Sequence, residues 1–183
     1  MTKLVLVRHG EAAAGWGDDH DPGLSEPGQQ QAREVAAGLA PSGPLPIVTS
    51  PMRRCRETAI PLAETWGVTP SVVDGVGEIK APNHDLATRG PWLASVLDKR
   101  WTDLPAEQRA WRDDVLASLL SFRDDCVVVT HFVAINVAIG AATADGRVVC
   151  RRVGNCSTTV IDSDGESLML LDASPEVSLT EVL

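Results

Sequence analysis

The sequence lacks a long hydrophobic run and an excess of positive charge. No apolar stretch approaches the roughly 18 residues that a transmembrane helix requires. The short run at 4–7 is followed at once by Arg8, which argues against a signal-peptide core. Lysine and arginine total 16 against 25 aspartate and glutamate, for a net charge of −9. We therefore predict a cytoplasmic protein that binds neither membranes nor nucleic acid, so any anionic ligand must be held by a local positive site.

Paired cysteines, repeats and low-complexity segments are also absent. The four cysteines form no CxxC motif, so a zinc site or a dithiol redox centre is a weak interpretation, and reduced core cysteine is the better one. What remains is typical of a packed domain, with 44% hydrophobic and 22% charged residues. The length of 183 residues favours a single domain over 1–183.

Short apolar strands alternate along the chain with helical periods. We predict strands at 3–8, 45–49, 71–74 and 126–130, with a final hairpin formed by 157–162 and 167–172. Helices are predicted from Ser25 as N-cap, from Ser50 and Pro51 as cap and first residue, over 106–122 and over 132–142. This alternation indicates an α/β domain with a mainly parallel sheet.

Polar side chains follow three of these strands at the point where each strand ends. The first strand runs into RHGE at 8–11, the second into SPMRR at 50–54, and the fourth into Thr130 and His131. Ligands of open α/β sheets bind beyond the carboxyl ends of the strands. We therefore expect the two histidines and at least one arginine to lie at the same edge of the sheet.

These residue types suit a phosphoryl group. A neutral imidazole is nucleophilic near pH 7 and can form a phosphohistidine, which divides a difficult displacement into two easier steps. Arginine matches the charged oxygens with a planar, permanently charged fork. Arg54 would lie in the first turn of a helix, whose N-terminus also favours phosphate. Gly10, next to His9, would let the backbone approach the phosphoryl group closely.

Four segments, in the right order, resemble the histidine phosphatase superfamily, also called phosphoglycerate mutase-like. They are RHGE at 8–11, LSEPGQQQA at 24–32 (similar to LTxxGxxQA), SPMRRCRETA at 50–59 (similar to SxxxRAxxTA) and the second-histidine strand VVTH at 128–131. The resemblance spans about residues 3–162 and implies a three-layer sandwich with helices on both sides of the central sheet. Mutase members are typically longer, so this chain is more similar to the phosphatase branch.

The resemblance also implies roles for the matching positions. His9 would be the phosphorylated nucleophile, Arg8 and Arg54 would bind the phosphate, and His131 would donate a hydrogen bond to the phosphoryl oxygens. Glu78 is the best match for the family's proton donor, a role that requires a pKa raised toward neutrality. The implied protein is a phosphomonoester hydrolase acting on a small phosphorylated substrate. It needs no metal or organic cofactor, because the arginines and the helix terminus supply the positive charge.

The sequence departs from the family pattern at two places. The run of alanines at 12–14 stands where many members have Ser and an Asn that touches phosphate. Phe132 follows the second histidine in place of Gly, where it could narrow the site or pack beneath it. Two alternatives to a phosphatase stay open: phosphoryl transfer of the phosphoglycerate mutase type, and a catalytically weak phosphate-binding module.

Each candidate also has a structural alternative. Arg54 could lie on a solvated helix face beside an Arg53–Glu57 pair, His131 could be a hydrogen-bonded core residue, and Glu78 could be a solvated loop residue. Five further residues are interpreted as structural or as surface positions: Ser25, Gln31, Asn155, His20 and His84.

The segment 75–104 is predicted to be mixed loop and helix. With Trp92 and Trp101, it is expected to cover the site as a lid or specificity region. Its neighbour Asp74 and its own Asp85 are rivals to Glu78 as proton donor.

Overall fold

A six-stranded mixed sheet forms the centre of the protein. The computed structural model describes residues 1–15, 17–82 and 85–178. The strands are β1 (Thr2–Arg8), β2 (Ile47–Thr49), β3 (Ser71–Val72), β4 (Cys126–Thr130), β5 (Thr158–Ser163) and β6 (Leu168–Ala173). They lie in the order β3-β2-β4-β1-β5-β6, and the first four in that order are parallel. Strand β5 is antiparallel to both of its neighbours, β1 and β6, so β6 runs in the same direction as the four parallel strands. The predicted mainly parallel sheet is therefore confirmed.

Helices cover both faces of this sheet. They are α1 (Glu26–Leu39), α2 (Arg53–Trp66), α3 (Leu86–Leu97), α4 (Ala106–Ser121) and α5 (Phe132–Thr143). Successive side chains of a strand point to opposite faces. In β1, Leu6 therefore packs in the core on the side of α3, α4 and α5, whereas Val7 packs on the side of α1 and α2. Burial on both faces is the reason that β1 and β4 are apolar without alternation.

The segment boundaries agree with the sequence-based expectations at α1 and differ at α2. Ser25 caps α1, and its Oγ accepts the backbone N–H of Gly28 at 3.0 Å. The prediction that Ser50 caps the second helix is wrong, because α2 begins at Arg53 and Met52 is its N-cap. Ser50 is fully buried, and its hydroxyl contacts His131 instead. None of the helices in the described ranges combines the length and apolar character that a membrane crossing demands.

The tryptophans of the segment 75–104 belong to the core. Trp101 is 4% exposed and packs against Trp111, with ring centroids 6.0 Å apart. Trp92 packs against the same core cluster. The expectation that Trp101 covers the site is therefore wrong, because its ring is buried beside Trp111 of α4. Trp92 is only partly buried, and neither ring lines the cavity beyond the end of β1.

Two glycines allow the loop after β1 to pass directly against the start of α1. A Cβ at Gly10 would lie 2.6 Å from the carbonyl oxygen of Gly28, and a Cβ at Gly28 would overlap the carbonyl oxygen of Glu11. The missing side chain of Gly10 thus makes room for α1 rather than for a ligand. This close approach ties the loop after β1 to the helix.

Gly28→Ala is expected to lower the free energy of unfolding by about 2–3 kcal/mol, because backbone must move to admit the methyl group. Gly38→Ala, in the same helix, is the matched control. Its added Cβ meets nothing within 4 Å, so it is expected to stabilise by about 0.5–1 kcal/mol. Urea unfolding measures both changes, and effects of equal sign would contradict the close contact.

Candidate active site

The parallel register of β1 and β4 brings the two predicted histidines together. Arg8 lies opposite Thr130 in this register, so His9 and His131 leave the same edge of the sheet. Their ring centroids are 5.2 Å apart, with the planes inclined at 65°. Arg8, His9, Arg54 and His131 are all buried. The four residues come from three distant segments of the chain and form one cluster.

Arg54 lies between the two imidazoles. Its Nε donates to Nε2 of His9, and its Nη2 to Nδ1 of His131, each at 3.2 Å. A guanidinium can only donate hydrogen bonds, so both of these ring nitrogens accept and carry no proton. The proton of His9 is then on Nδ1, which donates to the carbonyl oxygen of Gly10 at 2.7 Å. The proton of His131 is on Nε2, which donates to Oγ of Ser50 at 2.7 Å.

Both imidazoles are held in the neutral form. Burial lowers the pKa of His9 well below its usual value, and the charges of Arg54 and Arg8 lower it further. Burial also lowers the pKa of His131, again with Arg54 acting in the same direction. The Nε2 atom of His9 therefore keeps its lone pair near pH 7, as a nucleophile requires.

Two hydroxyl groups that sequence reasoning missed support this arrangement. Thr58 Oγ1 accepts the backbone N–H of Gly10 at 3.0 Å and donates to the carbonyl oxygen of Arg54 at 2.7 Å. Ser50 orients His131 as described above. Thr58 lies four residues after Arg54 on α2, and this spacing on one helix face is the signal that could have found it.

Phe132 supports Arg8. The guanidinium carbon of Arg8 is 5.2 Å from the centre of the Phe132 ring, and its Nη1 donates to the carbonyl oxygen of Val153 at 2.8 Å. Burial lowers the pKa of Arg8 to about 10, so it stays charged at pH 7. The aromatic residue that replaces the family's glycine thus packs against a phosphate-binding candidate through a cation–π contact.

Glu78 lines the same cavity as Arg8, His9 and Arg54. Its Oε1 accepts the backbone N–H of Ile79 at 2.9 Å. Burial raises the pKa of Glu78 to about 7, although the Ile79 N–H and the charge of Arg54 act in the opposite direction. This is the property that the sequence could not reveal and that a proton donor near pH 7 requires.

The rival acids lie elsewhere. Asp85 is the N-cap of α3 and accepts the backbone N–H of Ala87 at 3.1 Å, and Asp74 is exposed. Neither lines the cavity. Arg53 pairs with Glu57 at 2.7 Å, as its spacing allowed, and it does not line the cavity either.

The cavity has a volume of about 1060 Å³. The loop after β1 and the inner face of α3 form much of its wall, the latter through Arg89, Gly90, Leu93, Ala94 and Leu97. Gln31, Asn155 and His20 also line it, so these residues are closer to the site than their predicted structural roles implied. His84 lies outside the described residues. Across 1–15, 17–82 and 85–178, no group of three or more His, Cys, Asp or Glu side chains is arranged to hold a metal ion.

The family model of the histidine phosphatase superfamily (branch 1) matches residues 4–173, and the chain belongs to this superfamily. It is 32% identical over 116 residues to glucosyl-3-phosphoglycerate phosphatase of Mycobacterium tuberculosis, over 61% of this chain and 48% of that protein. It is 30% identical over 120 residues to phosphoserine phosphatase 1 of Hydrogenobacter thermophilus, over 62% of this chain and 52% of that protein. The chain thus spans about half the length of these two curated relatives.

The solved structures agree with this assignment. The native structure of a mycobacterial glucosyl-3-phosphoglycerate phosphatase superposes with a TM-score of 0.68 at 25% identity, over 97% of this chain and 100% of that one. The three-layer arrangement is therefore that of the family.

The tautomers and the neutral state of the histidines can be read by NMR of ¹⁵N-labelled protein. At pH 7 we expect His9 with its proton on Nδ1 and His131 with its proton on Nε2, assigned with H9Q and H131Q variants. Both are expected to stay neutral well below pH 6.5, while the urea-unfolded chain titrates near about 6.5. The folded state then binds fewer protons than the unfolded state, so these groups reduce stability as pH falls through 6.5. Reversed tautomers would contradict the position of Arg54.

Glu78→Gln tests the raised pKa of Glu78. Below pH 4.5 this carboxyl is protonated in both states, and between pH 4.5 and 7 only the folded chain keeps the proton. Its contribution to stability is therefore complete at low pH and is lost as pH rises through about 7. Because glutamine does not ionise, the variant is expected to gain about 2–3 kcal/mol relative to the unsubstituted protein between pH 4.5 and 8. Urea unfolding at pH 4.5 and at pH 8 measures the free energy of unfolding of the variant and of the unsubstituted protein. A difference between the two proteins that is the same at both pH values would contradict the raised pKa of Glu78.

Proposed function

We propose that this chain hydrolyses the phosphomonoester of a small molecule through a phosphohistidine on His9. One observation carries the proposal. The guanidinium of Arg54 lies 3.2 Å from the unprotonated nitrogens of both His9 and His131, beside the charged Arg8. A tetrahedral dianion in this position would meet a nucleophilic nitrogen, two guanidinium groups and a second imidazole.

The first step transfers the phosphoryl group to the protein. The lone pair of His9 Nε2 attacks phosphorus, and the bond between phosphorus and the ester oxygen breaks. Protonated Glu78 gives its proton to that oxygen, so the alcohol leaves in neutral form. Arg8 and Arg54 stabilise the charge on the three remaining phosphoryl oxygens, and His131 can add a hydrogen bond once Arg54 turns to the phosphoryl group and the ring takes the tautomer with its proton on Nδ1.

The second step returns the protein to its starting state. The Glu78 carboxylate takes a proton from water, whose oxygen attacks phosphorus. The bond between phosphorus and Nε2 of His9 breaks, inorganic phosphate leaves, and Glu78 is protonated again. A pKa of about 7 suits a group that must act once as an acid and once as a base near neutral pH.

Two further observations support this proposal. The two curated relatives are named phosphatases, and the substrates in their names are small phosphorylated molecules. Three arginines line the cavity, at positions 8, 54 and 89, and they can supply positive charge that a metal ion supplies in other phosphoryl-transfer sites.

Since the four cysteines are free thiols, we also propose a cytoplasmic location, where thiols stay reduced.

His9→Ala is expected to lower the rate of aryl phosphate hydrolysis by about 1000-fold or more, because the nucleophile is removed. Gly38→Ala, on the exposed face of α1, serves as a control with unchanged rate. With a ³²P-labelled substrate, acid-labile and base-stable label is expected on the unsubstituted protein and absent from His9→Ala. A chelator is expected to have no effect.

The same assays separate the alternatives. Phosphate binding without release from any ester would favour the binding module. Formation of an isomeric phosphoglycerate in place of free phosphate would favour the mutase. Unchanged hydrolysis by His9→Ala would exclude His9 as the nucleophile.

A further inference from the structure

A buried thiol lies against His131 on the side away from the cavity. Cys55 directly follows Arg54 on α2, is fully buried and does not line the cavity. It stands where the family pattern SxxxRAxxTA has alanine, so its sulfur is a polar group that the pattern does not include. The Sγ atom lies 3.4 Å from Nε2 of His131 and 3.5 Å from the carbonyl oxygen of Thr130.

The direction of the hydrogen bond between Cys55 and Thr130 is fixed by chemistry. A carbonyl oxygen cannot donate, so the S–H group of Cys55 donates to the carbonyl oxygen of Thr130. Burial raises the pKa of this thiol, so the sulfur keeps its proton near pH 7. The sulfur can then only accept from its other neighbours, and a thiol sulfur is a weak acceptor.

Ser50 connects this thiol to the imidazole. Its Oγ accepts Nε2–H of His131 at 2.7 Å and the backbone N–H of Met52 at 3.3 Å. Both lone pairs of the oxygen are then used, so the hydroxyl proton points to another acceptor. The Ser50 hydroxyl is near enough to hydrogen-bond the Cys55 sulfur and lower the pKa of the thiol. A chain of hydrogen bonds therefore runs from the imidazole through Ser50 and Cys55 to the carbonyl oxygen.

Phosphate binding requires part of this chain to reverse. In the proposed reaction His131 donates from Nδ1, and its Nε2 then carries no proton. The ring takes up a proton at Nδ1 and gives one from Nε2 to solvent, so its charge does not change. Nε2 then needs a donor, and the hydroxyl of Ser50 supplies one by turning away from the sulfur of Cys55. Because sulfur is a weak acceptor, this turn costs little free energy.

We propose that Cys55 is a positioning residue for His131. Its sulfur accepts the hydroxyl proton of Ser50 before phosphate binds, and it releases that hydroxyl to Nε2 of His131 when a phosphoryl group arrives. Cys55 thus stabilises the tautomer with the proton on Nε2, and its loss favours phosphate binding. This inference rests on the proposed hydrolase function and concerns the same site.

Cys55→Ala tests this role, because alanine cannot accept a hydrogen bond from Ser50. At pH 7 the variant is expected to bind inorganic phosphate about two- to fivefold more tightly, as measured by calorimetry. Cys55→Ser, whose hydroxyl can both accept and donate, is expected to keep the affinity of the unsubstituted protein. Unchanged or weaker binding by Cys55→Ala would overturn the proposal, and so would a gain of the same size in Cys55→Ser.

A double variant tests whether Cys55 acts through Ser50. In a protein that already carries Ser50→Ala, Cys55→Ala is expected to leave the phosphate affinity unchanged. A gain in that background would overturn the proposal. Cys126→Ala is the matched control, because Cys126 is a buried thiol at the opposite end of β4 from His131. It is expected to leave the phosphate affinity unchanged.

NMR of ¹⁵N-labelled protein follows the proton of His131 directly. In the phosphate-saturated protein this proton is expected on Nδ1, whereas without phosphate it is expected on Nε2. A proton that stays on Nε2, alone or with a second proton on Nδ1, would overturn the proposal, because Ser50 would then have no reason to turn.

Failure of this inference is distinguishable from failure of the proposed function. The affinity and the proton position are measured with inorganic phosphate and need no turnover. Hydrolysis of an aryl phosphate, with no effect of Cys55→Ala on phosphate binding, would overturn the role of Cys55 alone. The expected changes in phosphate binding without hydrolysis of any ester would support the role of Cys55 and overturn the hydrolase function.

Discussion

The position of the Arg54 side chain is the constraint on which the candidate site depends. A single guanidinium donates to one nitrogen of each imidazole, and this sets the tautomer of both rings. Burial keeps both rings neutral, and the charge of Arg54 adds to this effect, since a positive charge opposes protonation of its neighbours. Arg54 can occupy this position only because β1 and β4 end side by side and α2 begins next to them. The chemistry proposed for His9 thus depends on the register of two parallel strands.

Around this centre, residues that differ from the family pattern have identifiable contacts. Phe132 packs its ring against the guanidinium of Arg8, so a bulky side chain at the start of α5 supports the site. The alanines at 12–14 also line the cavity, and Ala12 and Ala14 are partly buried. A methyl side chain cannot make a contact of the kind that Phe132 makes with Arg8. The buried end of the site therefore relies on arginine and histidine, and its outer part is formed by a loop and one side of α3.

Much of the fold could be predicted from the sequence because its signals are local. Apolar runs marked β1 and β4, a serine followed by proline and glycine marked the start of α1, and the polar residues after strand ends marked the edge of the sheet. The same reasoning failed for Ser50 and Trp101. Serine before proline is a good local signal for a helix start, but a contact with His131, 81 positions away, uses the hydroxyl instead. Trp101 lies in a segment without clear periodicity, and only the position of α4 decides that it is buried.

The sequence by itself determined the class of chemistry, because histidine and arginine after strand ends suit a phosphoryl group whatever the details of the fold. Only the tertiary structure decided which nitrogen of each histidine carries the proton, and which acid among Glu78, Asp74 and Asp85 faces the cavity. It also decided that Arg89, rather than a tryptophan, lines the outer wall. The physical reason is the same in each case. Protonation, burial and electrostatic fields depend on neighbours in space, and those neighbours come from distant parts of the chain.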